Sequence, residues 1–144
     1  MMSHSVTIQP MTTEDVSEVL ALWEGIEGLI LTATDNVEDL SCYFQHNPGL
    51  SQVAIHDESV VGAVLCGHDG RRGYLHHLAV TAEYQKQGIG RALVRECMSK
   101  LRNVGIRQCN LFLIADNADG RRFWENDGWS EWPEIRLMSK TIEG

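Results

Sequence analysis

The sequence predicts a single domain built on a mixed β-sheet with helices packed against it. Three observations carry this expectation. The chain has 144 residues, room for one domain of ordinary size and not for two. Short β-type runs and stretches of helical apolar spacing follow in the order β-α-(α)-β-β-β-α-β-α-β. That order is neither a strict β-α alternation nor an all-β chain. Apolar residues make up 43% and charged residues 22%, the balance of a folded globule rather than a disordered chain. A chain of this length buries roughly 68–70% of its unfolded surface, enough to fold without disulfides or a metal.

Each element has its own signal. Val6-Thr7-Ile8 is a β-type run that ends at Pro10. Thr12 and Asp15 form a Thr-x-x-Asp capping pattern, and Val16, Val19, Leu20, Trp23 and Ile26 recur at helical spacing, which predicts a helix over residues 13–26. Trp23 falls on its buried stripe. A second helix is expected over 35–46, with Val37, Leu40 and Phe44 on one side. Val53-Ala54-Ile55 and the apolar run 60–65 read as strands joined by the turn Asp57-Glu58-Ser59. Asp69-Gly70 marks the next tight turn and 74–80 the next strand, giving an antiparallel meander. After Gly90 the period changes: Leu93, Cys97 and Leu101, flanked by Val94 and Met98, form a helical stripe that ends by Gly105. A strand over 109–115 follows, then a helix capped by Asn117 that carries Phe123 and Trp124 and stops near Gly128. A last strand is expected over 135–142, with Trp129 and Trp132 in a final hairpin or at a subunit contact.

Charge and cysteine usage narrow the function. Twenty acidic against 12 basic residues give a net charge of −8, the wrong sign for a general binder of phosphate backbones, which argues against nucleic acid as the main partner. The balance admits a cationic partner. No stretch approaches the ~20 apolar residues that span a bilayer, and residues 1–5 carry neither the basic region nor the apolar run of a signal peptide. The cysteines at 42, 66, 97 and 109 form no Cys-x-x-Cys pair and sit in apolar runs, as buried thiols in a reducing compartment do. The six histidines show no metal-site spacing. A cytoplasmic protein without structural metal is expected.

The segment richest in chemistry is Val80-Thr81-Ala82-Glu83-Tyr84-Gln85-Lys86-Gln87-Gly88-Ile89-Gly90-Arg91-Ala92-Leu93. It passes from a strand through a polar loop with two glycines into an amphipathic helix. The start of such a helix offers unpaired N–H groups and the positive end of its dipole to an anion. Glycines let those amides approach it closely, and Lys86 and Arg91 add positive charge. A structural turn would use the same glycines, so the loop alone leaves both readings open. The dinucleotide pattern fails because Leu93 stands where its third glycine belongs, and the Walker loop fails because no Gly-Lys-Ser/Thr follows.

Gln85-x-x-Gly88-x-Gly90 between strand and helix resembles the acetyl-CoA-binding loop of the GNAT N-acetyltransferases. The likeness extends back through His77-Leu78-Ala79-Val80-Thr81-Ala82-Glu83-Tyr84 and forward to residues 117–129, similar to that family's Asn-x-x-Ala-x-x-Phe-Tyr-Glu-x-x-Gly-Phe segment. Gly67-His68-Asp69-Gly70-Arg71-Arg72-Gly73 resembles the turn of a bacterial, YpeA-like subgroup. The resemblance implies a mostly antiparallel sheet of about seven strands, splayed at its centre and flanked by about four helices. It also implies direct transfer of an acetyl group from acetyl-CoA to a primary amine, on a small molecule or a protein, in a family where homodimers are common.

The same resemblance assigns sites. Gln85, Lys86, Gln87, Gly88, Ile89, Gly90 and Arg91 would hold the CoA diphosphate. Leu78, Ala79 and Val80 occupy the strand bulge whose free backbone pairs with pantetheine and the thioester carbonyl, where an N–H acts as an oxyanion donor. Asn117 matches a contact to the pantetheine arm, with helix capping as its other role, and Phe123 lies in the same segment. His76 is the expected base or water holder, because imidazole takes up a proton near pH 7. By alternation it shares a face with Tyr74, the position some members fill with a catalytic glutamate, while His77 points away if the pleat is regular. A satisfied structural histidine is the other reading of His76. Glu24 and Glu27 are read as solvated charges near the acceptor side.

Trp124 stands where the family usually has its acidic tyrosine, and an indole delivers no proton as phenol does. Trp124 would then cover the thioester, and the proton would come from solvent or Tyr84. Gly120 replaces the usual alanine. The departure at Trp124 motivates a second reading, an acyl-CoA-binding module whose catalysis has faded.

Overall fold

Five strands and four helices make up the computed structural model, which describes residues 6–142. The reading of residues 1–5 as free of a signal peptide lies outside the described residues. Two compact units divide between Ile114 and Ala115. In the first, β1 (Thr7–Pro10), β2 (Gln52–His56), β3 (Ser59–His68), β4 (Gly73–Val80) and β5 (Cys109–Leu111) form one open sheet in sequence order. Pairing is antiparallel from β1 to β4 and parallel between β4 and β5. The same unit carries α1 (Val16–Glu24), α2 (Val37–His46) and α3 (Ile89–Asn103).

Local chemistry accounts for the elements. The Thr12 N–H donates to the Asp15 carboxylate at 2.9 Å and opens a short 3-10 turn, Thr13–Asp15, from which α1 continues. Asn36 caps α2 by accepting from the Asp39 N–H at 2.8 Å. Asp57 and Glu58 both take positive φ, the two-residue hairpin turn whose twist matches the strands it joins. In the β3–β4 turn the Asp69 carboxylate accepts from the N–H groups of Arg72 and Arg71, and these bonds hold its pKa below the usual carboxylate range. β3 is buried along nearly its whole length because helices cover both of its faces. Val60, Ala63 and Leu65 join Val16, Val19 and Trp23 in one core. On the other face a Cβ at Gly62 would stand 3.1 Å from the Leu93 side chain, so α3 lies directly on the sheet there.

Several expectations are corrected. Among the described residues the sheet has five strands, not about seven. Residues 135–142 form no strand, and Ile135, Leu137, Met138 and Ile142 are exposed. Alternation sorts side chains onto two faces, but a strand needs a ladder partner, and none among the described residues pairs with this segment. The strand expected over 109–115 ends at Leu111. Val37 and Met98 lie at the solvent edge of their helical stripes, and Cys42 is exposed whereas Cys66 and Cys97 are buried. Burial pushes the half-buried Cys109 thiol up to about 12, which leaves it protonated and unreactive.

In the second unit Asn117 Oδ1 accepts from the Gly120 N–H at 2.9 Å and starts α4 (Ala118–Asn126), which closes at Gly128 with φ +96°. Phe123, Trp124 and Trp129 pack edge to face, with ring centroids 5.0 and 5.2 Å apart. Trp132 is exposed, and the expected final hairpin does not form. No helix among the described residues is long and apolar enough to cross a membrane.

Candidate active site

β4 is irregular at its middle. Ala63 pairs with Ala79 and Leu65 with His76, so His77 and Leu78 together oppose Val64 alone. This is a β-bulge, and His77 takes φ +57° to make it. The extra residue breaks the alternation that would send His77 away from His76. Both imidazoles line one cleft of about 570 Å³ between β4, α2 and the loop before α2, together with Asp35, Asp39, Tyr43 and His46. Below the bulge the parallel β4–β5 ladder covers only Gly73, Tyr74 and Leu75. From His76 to Val80 that edge of β4 has no strand beside it among the described residues, and the Val80 carbonyl accepts from Gln85 instead.

The two histidines differ in surroundings. His76 stacks beside Phe112 and Tyr74, with centroids 5.8 and 6.4 Å away, in a cluster where those two rings also stack at 6.3 Å, and it has no hydrogen-bond partner among the described residues. Burial, reinforced by His77, lowers its pKa, so it is neutral at pH 7. Its contribution to stability is therefore complete above the unfolded value near 6.5 and is lost as pH falls through the lower folded value. Thermal melts from pH 7.5 to 5 will show a fall in Tm that is shallower in His76→Gln. His77 has a carboxylate partner: its Nε2 lies 3.1 Å from Asp35 Oδ1 and 3.2 Å from Oδ2. The Asp35 side chain is only 6% exposed. It also accepts from the Thr32 N–H at 2.8 Å and from the Thr32 hydroxyl at 3.3 Å. Trp23, fully buried, sets its ring edge against His77 with centroids 4.9 Å apart.

The glycine loop begins where β4 ends. Gln85 donates from Nε2 to the Val80 carbonyl at 2.9 Å and Gln87 to the Glu83 carbonyl at 3.3 Å, tying the loop to the strand end and to the 3-10 turn Ala82–Tyr84. Lys86 and Gly88 take φ of +63° and +86°, and Gly88 caps α3 without any side-chain bond. The first helical bond runs from the Ala92 N–H to the Gly88 carbonyl. No acceptor among the described residues meets the backbone N–H groups of Lys86 to Gly90. Successive amides turned by left-handed residues at a helix start form an anion-binding concavity. Ile89 anchors this loop in the core at 1% exposure.

Tyr74, His76, Leu78, Ala79, Val80 and the whole loop from Gln85 to Arg91 thus lie along one strand and the turn after it. Asn117, Phe123 and Trp124 belong to the second unit. Tyr84, considered as a proton source, is hydrogen-bonded to His56 Nδ1. Glu24 and Glu27 are exposed. Sequence reading missed Asp35. Its signal was the pattern Thr32-x-x-Asp35, which repeats Thr12-x-x-Asp15 and makes the same bonds.

The sequence profile of the Acetyltransferase (GNAT) family matches residues 19–129. An acetyltransferase of Sodalis glossinidius is 35% identical over 129 residues, 90% of each chain. Among solved structures, an acetyltransferase from Streptococcus agalactiae superposes with a TM-score of 0.78 at 18% identity, over 98% of this chain and 93% of that one. The PaiA N-acetyltransferase from Thermoplasma acidophilum, solved in complex with coenzyme A, superposes with a TM-score of 0.75 at 19% identity, over 88% and 90%. The structural likenesses speak to the fold, while the profile and the sequence identity establish descent: this chain belongs to the Acetyltransferase (GNAT) family and is an N-acetyltransferase.

Proposed function

We propose that residues 1–144 act as one GNAT domain that moves an acetyl group from acetyl-CoA directly to a cationic primary amine. The observation that carries this is the run of unbonded amides from Lys86 to Gly90 beside the open edge of β4. Those amides, with Lys86 and Arg91, fit a diphosphate, and the PaiA structure with coenzyme A shares the fold that presents them. When bound, acetyl-CoA supplies an activated thioester. The segment Leu78 to Val80 is assigned to the thioester carbonyl, where a backbone N–H on the open edge of β4 would stabilise the charge that develops on its oxygen. The histidine pair on β4 provides an imidazole for the amine's proton. From the second unit, Asn117 and Phe123 are assigned to the pantetheine arm and Trp124 to excluding water. The cationic acceptor is supported by the cleft lining, which has Asp35 and Asp39 and neither lysine nor arginine.

Thiol release from acetyl-CoA tests this against a panel of diamines, polyamines, lysine peptides and amino acids. Cationic amines lacking a carboxylate should stimulate release most. Binding of acetyl-CoA with no amine-stimulated release between pH 6 and 9.5 would instead establish the binding-module reading that Trp124 motivates. Trp124→Tyr restores a phenolic acid and should raise kcat by about tenfold, below the 10²–10⁴ that a fully positioned acid contributes. An unchanged kcat would mean that leaving-group protonation is not limiting.

A further inference from the structure

We propose that His77, oriented by Asp35, is the group that takes the proton from the acceptor amine, and that His76 beside it is a packing residue. This rests on the acetyl-transfer reading above and assigns the proton-accepting role within it. Three observations single out His77. Its Nε2 is held by a carboxylate that is itself 94% buried and fixed by the Thr32 backbone, so the ring presents one tautomer. With Nε2–H donated to Asp35, the lone pair stands on Nδ1, which has no partner among the described residues. The bulge holds His77 in a left-handed conformation that few non-glycine residues adopt, and this departure from the pleat brings its ring to the cleft wall.

His76 also lines the cleft, without a hydrogen bond among the described residues, but it lacks the carboxylate partner and the left-handed backbone. No carboxylate or carbonyl among the described residues holds its ring, which packs in a cluster with Tyr74 and Phe112. Trp23 backs His77 from α1 and brings no charge. The titratable groups that face the His77 imidazole are Asp35 from the loop before α2, His76 on β4, and Asp39, Cys42, Tyr43 and His46 across the cleft on α2.

The acceptor enters as an ammonium and gives one proton to His77 Nδ1, which passes it to solvent. The freed nitrogen lone pair bonds to the acetyl carbon, and the carbon–sulfur bond breaks with its electron pair leaving on sulfur. The second amine proton, lost as the amide forms, ends on that sulfur through solvent. One proton is released per turnover.

The full chain carries the test, with diamine as acceptor and coenzyme A binding measured in parallel. Asparagine accepts the left-handed backbone, so His77→Asn preserves the bulge, while its shorter amide does not replace the Nε2 contact to Asp35. It should lower kcat/KM at pH 7 by 100-fold or more with coenzyme A affinity unchanged, and the loss should shrink above pH 9 as the amine becomes neutral unaided. His77→Gly, which adopts positive φ freely, should regain rate when imidazole is added, and it replaces His77→Asn if that variant does not melt cooperatively. Asp35→Asn should lower kcat/KM about tenfold with coenzyme A affinity unchanged, since the ring loses the carboxylate that fixes its tautomer. His76→Gln should cost less kcat/KM than His77→Asn at pH 7. A His77→Asn loss that is equal at every pH, no rescue by imidazole, or a larger loss in His76→Gln overturns the assignment while leaving acetyl transfer intact. A parent protein that binds coenzyme A and acetylates no amine overturns the acetyl-transfer reading itself, and the role of His77 with it.

Discussion

Replacing Gly88 with valine should weaken coenzyme A binding by about 100-fold, or ~2.7 kcal/mol. Gly88 caps α3 at φ +86°, where a β-branched side chain is a steric outlier and costs about 1–2 kcal/mol. A Cβ there would meet nothing within 4 Å, so the variant is not overcrowded and should fold. The strain relaxes by turning the loop, and that moves the amides of Lys86 to Gly90 out of their shared concavity. Gly70 offers an internal control. It also has a positive φ, +92°, with open space around a Cβ, but it sits in the β3–β4 turn. Gly70→Val should lose comparable stability and keep its affinity for coenzyme A. Calorimetric titration of both variants separates backbone strain from loss of the anion cradle.

Trp23→Ala should be the most destabilising single truncation, at about 3–5 kcal/mol. Trp23 is fully buried among Val16, Val19, Val53, Ala63 and Leu65, and its indole Nε1 has no partner among the described residues. Truncation therefore breaks no hydrogen bond, and its cost is lost apolar transfer plus an unfilled cavity. Against a total stability of roughly 5–15 kcal/mol this is a large fraction. Urea unfolding should show a lower midpoint at an unchanged m value. The ring also backs His77, so the variant should lose activity at temperatures where it is still folded. A midpoint shift worth under about 1 kcal/mol would show that the cavity collapses and that Trp23 is not a keystone of this core.

What the sequence revealed and what it hid follow from the range of the interactions. α1, α3 and the β2–β3–β4 meander were legible because burial imprints a period on consecutive residues, as Leu93, Cys97 and Leu101 show. The glycine loop was legible because anion binding by backbone amides demands particular residues at fixed spacing. The pairing of Asp35 with His77 was not legible: it joins residues 42 apart, and the Thr32-x-x-Asp35 pattern announces only the local half of the carboxylate's bonds. The orientation of His77 was misread for a related reason. Alternation assumes a regular pleat, and the extra residue opposite Val64 carries no composition signal. Residues 135–142 show the converse failure, a strand-like pattern with no partner strand to pair it. Val37 and Met98 mark how far an apolar stripe extends past the contact that buries its centre.

The central claim is that main-chain amides from Lys86 to Gly90 receive the diphosphate of coenzyme A. Amide proton and nitrogen shifts of the full chain, followed as coenzyme A is added, test it most directly. The largest saturable displacements should fall on residues 86–91, with smaller ones on 78–80, at one common dissociation constant. Saturable binding that leaves the amides of 86–90 unmoved would contradict it.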